Sequence, residues 1–192
     1  PLKTENRVQF LSLCVQFIDS NRIFSVSNSQ NFERLCLEIF NYQVRNCEVY
    51  GRFVANLGID PIRIKDQNNI PFLPIEFFKS HQIISGTGEI KETFSSSGTT
   101  GMVQSRHYVS DISIYINSFR KGFELFYGDI QNYAVLALLP SYLEREGSSL
   151  IYMVDDLITL SQNPKSGYFL YEHHLLEETL KELQKSGTPT IL

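Results

Sequence analysis

The chain contains no run of about 18 apolar residues, so nothing in it reads as a membrane-spanning helix. Its first residues lack the basic-then-apolar layout of a secretory signal. Positive charge is not in excess either: 17 lysines and arginines face 21 aspartates and glutamates, a formal net charge of -4 at pH 7. A nucleic-acid duplex would have to bind without the usual release of counterions, which makes nucleic acid a poor partner. Cysteine is scarce: Cys14, Cys36 and Cys47 are odd in number and widely spaced, with no Cys-x-x-Cys pair for zinc. They read as reduced, buried thiols. These absences lead us to expect a cytoplasmic protein with no membrane span, no nucleic-acid partner and no metal site of its own.

What is present suffices for a core. With 192 residues, 42% of them hydrophobic and 20% charged, the chain belongs with globular proteins rather than disordered ones. It opens on Pro1 and stops at Thr188-Pro189-Thr190-Ile191-Leu192, where an apolar run has just begun after the helix-ending Ser186-Gly187. A strand that starts on the last residues reads as cut off, so we expect a fragment truncated at Leu192.

The first 70 residues read as a helical N-terminal region packing on the core. Val8, Leu11, Val15 and Ile18 are at helical spacing over residues 4–20. A second helix starts from Ser27 or Ser29 and runs through Phe40, and a third covers about Glu48 to Leu57, before Gly58 and Asp60-Pro61. From residue 71 the texture changes. Ile75 to Ser80 reads as a short helical turn, and Gln82–Ser85, Glu92–Ser96 and Gln104–Val109 as short strands. Ser110-Asp111 caps a helix whose buried face includes Ile112, Tyr115, Phe119, Phe123 and Phe126. Tyr133 to Leu139 is a nearly continuous apolar strand, then come a helix over Ser148–Leu160, a strand over Gly167–Tyr171, a helix over Glu172–Ser186 and a strand from Thr190. Strands alternating with helices from residue 133 onward predict βαβ units, hence an α/β fold with a mostly parallel sheet and covering helices after the helical N-terminal region.

One segment concentrates chemistry. Ser95-Ser96-Ser97-Gly98-Thr99-Thr100-Gly101 sets five hydroxyls and two glycines in seven residues, a composition suited to cradling phosphate with backbone N–H groups and small donors. A Walker loop needs Gly-x-x-x-x-Gly-Lys, whereas Gly98 and Gly101 are three apart and Met102-Val103 follow. A dinucleotide fingerprint needs a strand-to-helix turn, and this segment runs into another strand. An ordinary polar hairpin loop is the plain alternative. A serine nucleophile is a poor reading, because Gly-x-Ser-x-Gly is absent. His173-His174 cannot share a helix face and reads as a solvated helix start, not a metal site.

Phe94-Ser95-Ser96-Ser97-Gly98-Thr99-Thr100-Gly101 resembles the signature loop of the adenylate-forming enzymes, the acyl-CoA synthetase superfamily, usually Ser-Ser/Thr-Gly-Thr-Thr-Gly-x-Pro-Lys. Pro71-Phe72-Leu73-Pro74-Ile75-Glu76-Phe77-Phe78-Lys79 upstream, with Ser105-Arg106-His107 and Leu139-Pro140-Ser141-Tyr142 downstream, is similar to the LuxE-type acyl-protein synthetases, cousins of the phenylacetate-CoA ligases. The similarity spans about residues 70–192. It implies that 71–192 is the first part of an α/β adenylation domain, the incomplete N-terminal subdomain of an acyl-CoA synthetase-like fold.

The resemblance further implies an acid-thiol ligase that activates a fatty or other carboxylic acid with ATP and Mg2+. The acyl group then passes to a protein cysteine or to coenzyme A. Ser96, Ser97, Gly98, Thr99, Thr100 and Gly101 would hold the outer phosphates, with Arg106 and His107 nearby and Tyr142 walling the acyl group. The pattern departs from the family where Met102-Val103-Gln104 replaces the usual x-Pro-Lys, so Arg106 or a lysine elsewhere must meet the polyphosphate. The family's Tyr-Gly-x-Thr-Glu segment, ribose-binding aspartate, C-terminal lysine and acyl-accepting cysteine are not found, so this chain alone is expected to be incapable of full catalysis. An acyl- or aryl-CoA ligase, or an inert domain serving as a binding or assembly module, are the competing expectations.

Overall fold

Residues 19–96, 103–140 and 146–192 are described by a computed structural model. The helix expected over 4–20 lies almost wholly outside them, as does Cys14. The described residues are mixed α/β, with seven α-helices, one two-stranded antiparallel sheet and one three-stranded parallel sheet. None of these helices is long and apolar enough to cross a membrane. The chain divides into two units: residues up to Phe77 with Ile83–Thr87, and Phe78–Gln82 with Gly88–Leu192.

The first unit contains α1 (Ser20–Ile23), α2 (Ser29–Asn46) and α3 (Glu48–Asn56). The cap of α2 is Asn28, between the two serines expected for the role; its backbone is extended and its side-chain oxygen accepts the Asn31 N–H at 2.9 Å. Cys47 forms the corner between α2 and α3, its N–H donating to Gln43 O and its carbonyl accepting the Gly51 N–H, both at 2.8 Å. A Cβ on Gly51 would stand 2.6 Å from Val44 O, so glycine allows the close helix crossing. Phe40, Cys47, Tyr50 and Val54 are buried there, with Ile64, Ile70, Leu73 and Ile83 packed around them. Tyr50 donates to Pro71 O at 2.7 Å, and burial, followed by the nearby Cys47, pushes its phenol up to about 12. The strand expected over Gln82–Ser85 is absent: Ile83 packs on this helical core and the Gly86 N–H donates to Asn46 O at 2.8 Å.

In the second unit, β1 (Glu92–Ser95) pairs antiparallel with β2 (Arg106–Val109). Next come α5 (Ile112–Tyr127), β3 (Ala134–Ala137), α6 (Ser149–Ser161), β4 (Gly167–Tyr168), α7 (His173–Ser186) and β5 (Thr190–Ile191); the label α4 is kept for the short helix Phe77–Ser80. The parallel sheet has the order β4-β3-β5, pairing Leu136 with Gly167 and Ala134 with Thr190. All four β3 residues are buried, as expected of a central parallel strand. Successive crossovers run first one way along the sheet, from β3 to β4, and then the other, from β4 to β5. Ala134 and Leu136 pack with Phe169, Leu176, Leu180 and Leu183 on the α7 side.

Polar groups at the sheet are consumed internally. Ser166 Oγ accepts the Val135 N–H at 2.9 Å and lies 2.8 Å from Ser161 Oγ, which donates to or accepts from it. The strand, loop and strand expected over Glu92–Val109 form the hairpin β1–β2, which pairs only within itself among the described strands. One further expectation needs correction. Phe126 is 79% exposed, since the aromatic stripe of α5 follows steps of four, with Tyr115 against Phe119 at 5.2 Å and Phe123 against Tyr127 at 5.0 Å.

Candidate functional site

The hydroxyl-rich segment lies between β1 and β2, and its described ends are held from three directions. Phe94 is buried against Tyr115 and Tyr152, with ring centroids 5.1 and 5.7 Å away. Tyr115 in turn donates to Ser149 O at 2.8 Å, so β1 is fastened to α5 and to the start of α6. Burial raises the pKa of the Tyr115 phenol, against a smaller lowering from the Ser149 bond.

The second hold is a backbone bond: the Ser95 N–H donates to Gly147 O at 2.8 Å. Gly147 has φ +75°, and a Cβ there would approach Thr93 O to 3.3 Å, so both conformation and space favour glycine. The third is a reciprocal pair across the base of the loop. The Ser96 N–H donates to Ser105 O, and Ser96 Oγ accepts the Ser105 N–H, each at 3.1 Å. Ser96 thus spends one lone pair closing the hairpin and keeps its O–H proton to donate.

Of the residues singled out by sequence, Ser97, Gly98, Thr99, Thr100 and Gly101 lie outside the described residues, and so does Tyr142. Ser96, Arg106 and His107 are described. Arg106 opens β2 opposite Ser95, exposed. His107 pairs with Phe94 in the register and so projects to the other face, where its ring stacks on Phe78 at 4.6 Å and 23°. His107 is therefore a bracket between β2 and the end of α4 in this structure.

Arg106 lines a pocket of about 470 Å³, within the range of about 300–1,000 Å³ usual for small-molecule sites. One wall runs from Phe78 through Lys79, Ser80 and His81 to Gln82; the other comprises Val103, Gln104, Arg106 and Tyr108. Arg106 and Tyr108 reach it together because alternate residues of a strand share a face. Ser80 Oγ lies 2.8 Å from His81 Nδ1. No described carboxylate lines the pocket, and no described acidic residue pairs with Lys79 or Arg106.

Neither a protein-family model, nor a curated protein, nor a solved structure matches the chain. The site is therefore argued from its own geometry. Sequence reasoning passed over Lys79, His81 and Gln104 as site residues. A signal was there: residues 77–88 and 93–110 contain no aspartate or glutamate, in a chain that holds 21 of them, and those two stretches form the pocket walls. Among the described residues, no group of three or more His, Cys, Asp or Glu could hold a metal ion.

Proposed function

We propose that the protein is an adenylate-forming enzyme of the LuxE-like type, acting on a fatty or other carboxylic acid with ATP. The observation that carries this reading is the hairpin: a hydroxyl- and glycine-rich segment joins two strands whose ends are locked at Ser96 and Ser105, with Arg106 immediately beyond. A strand-to-strand phosphate loop of this composition differs from the strand-to-helix loops of Walker and dinucleotide proteins.

A carboxylate is a poor electrophile because its oxygen is a poor leaving group. In the proposed reaction a carboxylate oxygen attacks the α-phosphorus of ATP, the bond to the bridging oxygen breaks, and pyrophosphate leaves. A thiolate then attacks the acyl carbon and AMP departs, leaving a thioester on a protein cysteine. The work assigned to this chain is electrostatic. Donors from Ser96, Ser97, Thr99, Thr100 and the loop backbone meet the charge that grows on the departing pyrophosphate, and Arg106 adds a cation. Magnesium, when bound, would neutralise part of the phosphate charge.

The test is exchange of labelled pyrophosphate into ATP by the intact protein, with and without a fatty acid. Carboxylate-dependent exchange is expected, and replacing both Thr99 and Thr100 with valine should slow it about tenfold or more, the usual worth of a transition-state donor. Acylation of protein without coenzyme A favours the acyl-protein synthetase; strict dependence on coenzyme A would make it an acyl- or aryl-CoA ligase. Absence of exchange would leave a binding or assembly module.

A further inference from the structure

We infer that the pocket between α4 and β2 is a polyphosphate site in which Lys79 and Arg106 supply the positive charge. That the polyphosphate is a nucleoside triphosphate rests on the adenylation reading; that the ligand is a multiply charged anion rests on the pocket alone. Gln104 and Arg106 line one wall of the pocket, and Lys79 stands on the facing wall, brought there by a different segment. Two cations far apart in sequence thus share one cavity.

Three observations support the assignment. Lys79 and Arg106 present two permanent positive charges to one cavity, with His81 beside them, and no described acidic side chain lines it. Cations with no described acidic partner stand out in a chain of net charge -4, where most described basic side chains near α2, α3 and α7 pair with glutamates. The wall bearing Lys79 is also positioned: Phe78, its neighbour, is stacked on His107 of β2. His107 thus acts as a positioning residue, holding α4 against the hairpin so that Lys79 and Arg106 face the same space.

Lysine and arginine divide the work by geometry. The Arg106 guanidinium can grip two oxygens of one phosphate in a plane, while the flexible Lys79 ammonium can follow charge as it moves onto the leaving pyrophosphate. A terminal monophosphate offers the two cations less charge and fewer oxygens than a di- or triphosphate does. The pocket should accordingly prefer ATP and pyrophosphate to AMP.

Calorimetric titration of the intact protein with pyrophosphate, ATP and AMP tests this. Lys79→Gln and Arg106→Gln should each weaken pyrophosphate and ATP binding about tenfold or more, the worth of one charge-assisted hydrogen bond, with AMP little changed. Lys79→Arg should recover most of the affinity, and both side chains are exposed, so melting temperatures should stay at the wild-type value. Wild-type pyrophosphate affinity in Lys79→Gln would overturn the proposal, as would a wild-type protein that takes up no pyrophosphate. The two readings fail separately. Binding through Lys79 without carboxylate-dependent exchange would support the pocket and remove the adenylation reading. Exchange that Lys79→Gln leaves untouched would overturn the pocket and keep that reading.

Discussion

The parallel sheet around β3 and the hairpin β1–β2 belong to one unit and use their polar groups in opposite ways. At β3 every side chain is buried, the strand is flanked on both sides, and the hydroxyls of Ser161 and Ser166 are turned inward to satisfy each other and the Val135 N–H. At the hairpin only Phe94 is buried in β1, β2 holds no buried residue, and Arg106 faces a cavity without a described acidic partner. The first region uses its chemistry on stability. The second leaves an exposed cation, which costs the fold little because water solvates it and leaves it available to a ligand.

Substitutions can pull the two regions apart. The largest loss should come from Leu136→Ala, which empties a site 1% exposed and packed with Phe169, Leu176 and Leu183, and should cost about 2–5 kcal/mol in denaturant unfolding, with pyrophosphate affinity unchanged while the protein is folded. Gly147→Ala should affect both regions. Its Cβ meets Thr93 O and its backbone is left-handed, so a loss of about 1–2 kcal/mol is expected together with slower exchange, because β1 carries the loop. If Gly147→Ala unfolds the protein more easily yet leaves exchange intact, the bond from Ser95 to Gly147 does not position the site.

A smaller effect concerns alkaline pH. Burial, then the hydrogen bond to Asp155 and its charge, raise the pKa of the Tyr168 phenol. A folded-state pKa above the unfolded value of about 10 contributes stability that is complete below that value and is lost as pH climbs through the folded one. Melting followed across alkaline pH should therefore fall less steeply in Tyr168→Phe than in wild type. The smallest change in stability should be that of Arg106→Gln, within about 0.5 kcal/mol, since the side chain is exposed and pairs with no described carboxylate.

Much of the fold was legible in the residues themselves. The apolar run from Tyr133 marked β3, Asp111 and Ser148 marked the starts of α5 and α6, and Gly187 marked the end of α7, because periodicity and capping are local properties. The segregation of β1–β2 from the parallel sheet was not legible, since strand pairing depends on what lies across space. Phe126 was misjudged because steps of three and four along a helix diverge over several turns, and only packing against Tyr133 selects one. At the site, the loop composition was visible but the pocket beside β2 was not: Lys79 and Arg106, which line it together, are separated by 26 intervening residues, 80–105, and a pocket wall leaves no periodic trace.

The claim that this chain belongs to an enzyme activating carboxylic acids is tested most directly by pyrophosphate exchange with the intact protein. Labelled pyrophosphate should enter ATP only when a carboxylic acid is present, and should do so about tenfold more slowly when Thr99 and Thr100 are valine. Exchange that ignores the carboxylate, or none with any acid offered, would contradict it.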